Sequence, residues 1–143
     1  MVSIFTAKKL LKELCDKYQV KAIMAHNARY DYFGLNTTMR YITKSQQRYF
    51  FPYGVEIWDT QKMAHDTICK QKKYIKFCEE NGYMTKHKNP RPQEKAEIIY
   101  RYISGNNEFV ERHTGLSDVM IEKEIFVRCL RQHKKMRKCL FEK

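Results

Sequence analysis

The segment Val20-Lys21-Ala22-Ile23-Met24-Ala25 constrains the fold more than any other. A strand with one face in water alternates apolar and polar residues, whereas this one is apolar at almost every position, which suits a strand covered on both faces. The chain is therefore read as α/β, with helices packed over a short sheet. His26-Asn27-Ala28-Arg29-Tyr30-Asp31 follows directly, where the strand ends and a helix begins. Open α/β sheets place their sites at that edge. Val55-Glu56-Ile57-Trp58 reads as a second short strand.

A later stretch carries candidate chemistry. His113-Thr114-Gly115-Leu116-Ser117-Asp118 runs into Val119-Met120-Ile121-Glu122-Lys123-Glu124-Ile125-Phe126 with helical periodicity. A bend at Gly115 followed by a first helical turn points His113 and Asp118 into one cleft. A carboxylate that holds a divalent metal, beside a neutral imidazole that takes a proton from water, suits hydrolysis of a phosphodiester. The plainer alternative is a loop histidine and a helix cap, with Asp31 a first-turn carboxylate favoured by its helix dipole.

The remainder is mostly helical in pattern. Thr6 is expected to cap a helix from Ala7 to Tyr18, with Leu10, Leu11, Leu14 and Tyr18 on its apolar face. A helix from Ala28 to Ile42 carries Tyr30, Phe33, Leu35, Met39 and Tyr41, and Gly34 and Asn36 weaken its middle. Periodicity resumes from Gln61 to Asn81, with a break near Thr67 and a stop at Gly82. Lys86 to Pro92 is a basic, proline-punctuated loop, and Pro92 is placed to start a helix from Gln93 to Ile103. The final helix should run from Leu116 to His133, burying Val119, Ile121, Ile125, Val127 and Leu130, with Glu122 and Glu124 facing solvent. The basic run Arg131 to Lys138 either follows a nucleic-acid backbone or is a solvated helix end, and the second reading is preferred. Between Lys44 and Tyr53 cations alternate with aromatics, a mixture that either stacks bases and neutralises phosphates or anchors a loop through Phe50 and Phe51.

With 143 residues and no repeat or linker, the chain is expected to be one domain, 1–143. A formal charge of +12 makes a polyanion the natural partner. No apolar run approaches membrane-spanning length and the N-terminus lacks the shape of a signal peptide, so a cytoplasmic protein is expected. Cys15, Cys69, Cys78, Cys129 and Cys139 form no Cys-x-x-Cys pair and are expected to be reduced and structural.

Together, His26-Asn27-x-x-Tyr30-Asp31 after a strand and His113-x-Gly115-Leu116-x-Asp118 opening a late helix resemble two motifs of the DnaQ-like (DEDDh) 3'-5' exonucleases, which have the RNase H fold. The wording around Tyr49 to Thr60 is most similar to phage and prophage members. The resemblance implies Asp31 and Asp118 as metal ligands, His113 as general base, His26 and Asn27 beside the substrate, and Asp59 as a helix cap. It also implies two Mg²⁺ or Mn²⁺ ions and a single-stranded DNA 3' end as substrate.

The family's Asp-x-Glu on a first strand has no counterpart here, because only Met1 to Phe5 precede the first helix and Glu13 is the first acid. The expected fold is thus an incomplete RNase H-like one, mostly helical with two short core strands and without the N-terminal three-stranded meander. The polypeptide is expected to be a fragment of a longer exonuclease or a truncated reading frame, weakly active or inactive. Its open strand edge invites a homo-oligomer. A non-catalytic nucleic-acid-binding module and a protein-binding scaffold are the alternatives.

Overall fold

Two parallel strands carry the site edge of the molecule. β1 (Ala22–Ala25) lies beside β2 (Glu56–Asp59), with Ala22 opposite Glu56 and Ala25 opposite Asp59. A parallel pair needs a crossover, and α2 (Ala28–Ile42) supplies it. The computed structural model describes residues 2–45, 48–112 and 114–142, and the chain is a mixed α/β protein, mostly helical. On the far side of β2 the C-terminal segment returns antiparallel. The Asp59 N–H donates to the Lys138 carbonyl at 2.9 Å and the Leu140 N–H to the Ile57 carbonyl at 2.8 Å. Among the described residues no strand pairs with the other edge of β1.

α1 (Ile4–Tyr18) begins three residues before its expected start, because Ser3 and not Thr6 caps it: the Ser3 hydroxyl accepts from the Thr6 N–H at 3.1 Å. Its buried side also differs from the expectation. Ile4, Ala7 and Leu11 pack against Met39, Phe50 and Phe51, and Cys15 is buried one turn on. That stripe repeats every three to four residues, so Leu10, Leu14 and Tyr18 are turned outward, with Leu10 53% exposed. A two-stranded sheet has too little surface to cover both stripes. In α2, Met39 is buried while Tyr30, Phe33 and Tyr41 are exposed. Asn36 sits mid-helix because its Oδ1 accepts the Phe50 N–H at 2.8 Å, which fixes the 48–51 segment against α2.

The larger core lies between α3 (Thr60–Ala64), α4 (Lys72–Glu80), α5 (Ala96–Ser104) and α6 (Gly115–Leu130). Met63, Ile68, Tyr74, Ile99, Ile125 and Cys129 are its innermost members, and the Tyr74 hydroxyl donates to the Gln93 carbonyl at 2.6 Å. The break expected near Thr67 is a π-type turn, His65–Cys69, in which the Thr67 hydroxyl donates back to the Met63 carbonyl at 2.7 Å. Pro92 bridges to Met84 and does not open a helix, so α5 starts only at Ala96. In α6 the stripe Ile121, Ile125, Cys129 is buried, whereas Val119 and Leu130 are exposed. All five cysteines are free, and burial raises the pKa of the Cys69, Cys78 and Cys129 thiols.

The basic tail is not a solvated helix end. α6 stops at Leu130, His133 takes a left-handed turn, and Arg137 grips Asp66 with Nε at 2.8 Å and Nη2 at 2.9 Å, while its backbone N–H reaches the same carboxylate at 3.1 Å. These bonds hold the Asp66 carboxyl well below the usual carboxylate range. A depressed folded pKa contributes stability above the unfolded value and loses it as pH falls toward the folded one. Asp66→Asn should therefore lower the melting temperature at pH 7, with the difference from the wild type shrinking below about pH 4; melts followed by circular dichroism check this. Ile125→Ala, at a fully buried position, should cost about 3 kcal/mol in urea denaturation.

Candidate functional site

Where β1 ends, two consecutive backbone amides lose their strand partners. Each is taken by a carboxylate from a different element. The His26 N–H donates to Glu122 Oε1 of α6 at 3.1 Å, and the Asn27 N–H donates to Asp59 Oδ1 at 3.1 Å. Asp59 Oδ1 also accepts the Gln61 N–H at 2.9 Å, so it caps α3 as expected while joining the ends of both strands. Asn27 turns left-handed at φ 61°, a conformation that asparagine tolerates better than most residues, and its carbonyl accepts the Tyr30 N–H at 2.9 Å. This launches α2 and sets Asp31 in its first turn.

His26 is clamped. Its Nε2 lies 2.7 Å from the Glu94 carbonyl and its Nδ1 3.1 Å from the Thr60 hydroxyl. A carbonyl only accepts, so Nε2 carries the proton and Nδ1 accepts from Thr60. Burial pulls the imidazole pKa down, against the opposing effects of the Glu94 carbonyl and the Asp59 and Glu94 charges. The neutral ring lines a cleft of about 850 Å³, and Asn27 is exposed at its mouth. His26 and Asn27, adjacent in sequence, both line this cleft.

Asp31 and Asp118 open α2 and α6, and both interact with Glu122 one turn along α6. Burial pushes the Glu122 carboxyl up; the His26 N–H pulls it down, and the Asp31, Asp118 and Glu111 charges push it up further. Burial also raises Asp31, its own N–H opposes this, and Asp59 adds to it. Asp118 Oδ1 is buried without a hydrogen-bond partner among the described residues. His113, the expected base, lies outside the described residues. Glu122 is not the solvent-facing charge expected of it: it is half-buried and bonded to the end of β1. Its position one turn from Asp118 was the available signal.

Three further residues carry no obvious sequence signal. Glu94 follows Pro92 in a loop, yet its carbonyl holds His26 and its carboxylate meets His65 Nδ1 at 2.5 Å. Glu111 adds charge to the same region. Lys86, His87 and Arg91 of the expected basic loop line the same cleft, and Lys95 joins them from the residue before α5.

Crowded carboxylate oxygens, one of them buried and unpaired, have the donor chemistry of a hard divalent cation such as Mg²⁺ or Mn²⁺. Asp31 and Asp118, with Glu122 behind them, suit one such ion in charge. As the side chains stand, no three His, Cys, Asp or Glu groups among the described residues are close enough to hold one. No helix of the described residues is long and apolar enough to cross a membrane. No family model, curated protein or solved structure matches the chain.

The raised Glu122 carboxyl has a definite pH signature. An acid whose folded pKa is raised is at no disadvantage below its unfolded value and destabilises the fold increasingly as pH rises through the folded one. Glu122→Gln keeps an acceptor for the His26 N–H and removes the charge. Its melting temperature should exceed the wild type's by a few degrees at pH 7 and match it below about pH 4.

Proposed function

We propose that this chain is an exonuclease domain of the DnaQ-like lineage that engages the 3' end of single-stranded DNA and hydrolyses it slowly by itself. The observation that carries the reading is that the charges of Asp31 and Asp118 both act on Glu122, which is bonded to the end of β1, near a cleft that Lys86, Arg91 and Lys95 line. An RNase H-like architecture is the fold this reading entails, and the short parallel pair joined by α2 agrees with it only at the level of α/β class.

Within the reading, Asp31 and Asp118 hold the divalent ion, and the ion supplies polarisation of the scissile phosphodiester. Lys86 and Arg91 meet the strand's phosphates, while Asn27 and the His26 ring edge lie against the terminal nucleotide. His113 takes the proton from the attacking water. Two ions would bring four positive charges, of which Asp31 and Asp118 neutralise only two. Activity is therefore expected to be low.

A second reading, a basic nucleic-acid-binding module without catalysis, is favoured by the lack of any three metal-holding side chains among the described residues. Incubation with a 5'-labelled single strand and Mn²⁺ separates the two. The first predicts slow release of nucleoside 5'-monophosphates, lost in Asp118→Asn and reduced about 10²–10⁴-fold in His113→Ala. Salt-sensitive binding with no release in any condition would leave the second.

A further inference from the structure

A second groove lies further along α2, beyond the carboxylate cluster. Its volume is about 460 Å³, and Tyr32, Asn36, Arg40, Arg48, Tyr49 and Phe141 are among its lining residues. The aromatic wall is ordered before any ligand arrives. Tyr32 stacks on Phe51 with ring centroids 5.6 Å apart and planes 8° from parallel, and Tyr49 and Phe141 meet Tyr32 edge-on at 6.0 and 5.1 Å. Anchoring the 48–51 segment falls to Phe50 and Phe51, both buried. That task does not account for Phe141, 65% exposed, or for the exposed Arg40 and Arg48 beside it.

The polar groups are of one kind. Among the described residues, no acidic side chain lines this groove. Arg48 is held in place by its Nε, which donates to the Ser45 carbonyl at 2.8 Å, so its terminal guanidinium nitrogens remain to meet an anion. Asn36 is only 6% exposed and its Oδ1 is occupied by the Phe50 N–H, which leaves its amide NH₂ as the donor on this wall. Ring surfaces, two guanidiniums and one fixed amide donor match a planar base with acceptor atoms carried on a phosphate backbone.

The groove also connects to the first site. A shallower hollow lined by Asn27, Arg29, Phe33 and Thr37 shares Phe33 and Thr37 with the aromatic groove and Asn27 with the cleft at the end of β1. Along α2, Arg40 lies nine residues beyond Asp31, roughly 14 Å along the axis and about half a turn around it, so a strand joining the two would follow the hollow around the helix. We propose that the groove is a nucleotide-binding pocket that takes an unpaired base, with its phosphate, from a single strand whose end lies at the carboxylate cluster. This rests on the nucleic-acid part of the reading above and is independent of hydrolysis.

The test measures binding of the whole chain to a fluorescent oligothymidylate dodecamer in EDTA, where no hydrolysis intervenes. Arg40→Gln/Arg48→Gln should weaken binding about tenfold, within the range of one lost stacked base and its phosphate contact. Lys134→Gln/Lys135→Gln removes the same charge outside the groove and should weaken it about twofold or less. Tyr49→Leu should weaken the intact oligonucleotide and leave an abasic one unchanged. Equal losses from the two charge-removing pairs, or equal wild-type affinity for intact and abasic strands, would overturn the pocket. Binding with this pattern but no Mn²⁺-dependent release removes the catalytic reading alone; release without the pattern removes the pocket alone.

Discussion

The two carboxylates that receive the His26 and Asn27 N–H groups hold the rest of the site in register. A strand that stops inside a protein leaves amide donors facing an apolar interior, and an unmet donor there is costly. Glu122 and Asp59 answer this from α6 and from the end of β2. Their charge strengthens the bonds. It also fixes three directions at one point: β1 arriving, α2 leaving through the left-handed Asn27, and α3 leaving through the Asp59 cap. Asp31 follows from the start of α2 that Asn27 sets, and Glu122 ties α6, with Asp118 one turn before it, to the end of β1.

That solution places negative charge where burial already disfavours it. Glu122 is pushed up by desolvation and by Asp31 and Asp118, and no cation among the described side chains is bonded to any of the three. Several other acids do have cation partners: Asp66 with Arg137 and Lys70, Glu97 with Arg101, Asp16 with Lys12. The chain holds 28 Lys and Arg against 16 Asp and Glu, yet among the described residues no ion pair includes Asp31, Asp118 or Glu122. On the proposed reading, a polyanion drawn by the excess positive charge would be repelled by the carboxylates at the last step. A divalent cation would resolve that conflict, which is the physical argument for proposing a metal-assisted site over a simple basic surface.

The legible parts of the sequence were those in which one local rule decides. An almost wholly apolar strand, an Asp before a helical pattern and a helix break near Thr67 each found their place, at β1, the α3 cap and the π-type turn, although β1 is only half-buried and not covered on both faces as expected. Periodicity placed helices but mistook their buried sides. In α1 two apolar stripes compete, and only contact with Phe50 and Phe51 selects Ile4, Ala7 and Leu11 over Leu10, Leu14 and Tyr18. Pro92 has the residue type of a helix start, yet the Met84 bridge holds the chain extended. Glu94 and Arg137 were opaque because their roles depend on partners 29 and 71 residues away in sequence. Glu122 was half legible: its shared face with Asp118 was visible, its bond to the end of β1 was not.

α2 ties the two proposed sites together, and the link is mechanical. Its first turn is set by Asn27 and its middle by Asn36, whose Oδ1 holds the 48–51 segment in place. A glycine and an asparagine weaken a helix interior, so an isolated α2 would be marginal. Here the Asn36 side chain is buried and bonded, and the rings of Tyr32, Tyr49 and Phe51 pack around the same turn. The weak middle of the helix is therefore where tertiary contacts concentrate. The distance from the carboxylates to the aromatic groove is consequently fixed by one braced helix, which lets two separate contacts on a single strand act together: the second then forms at the high effective concentration set by the first.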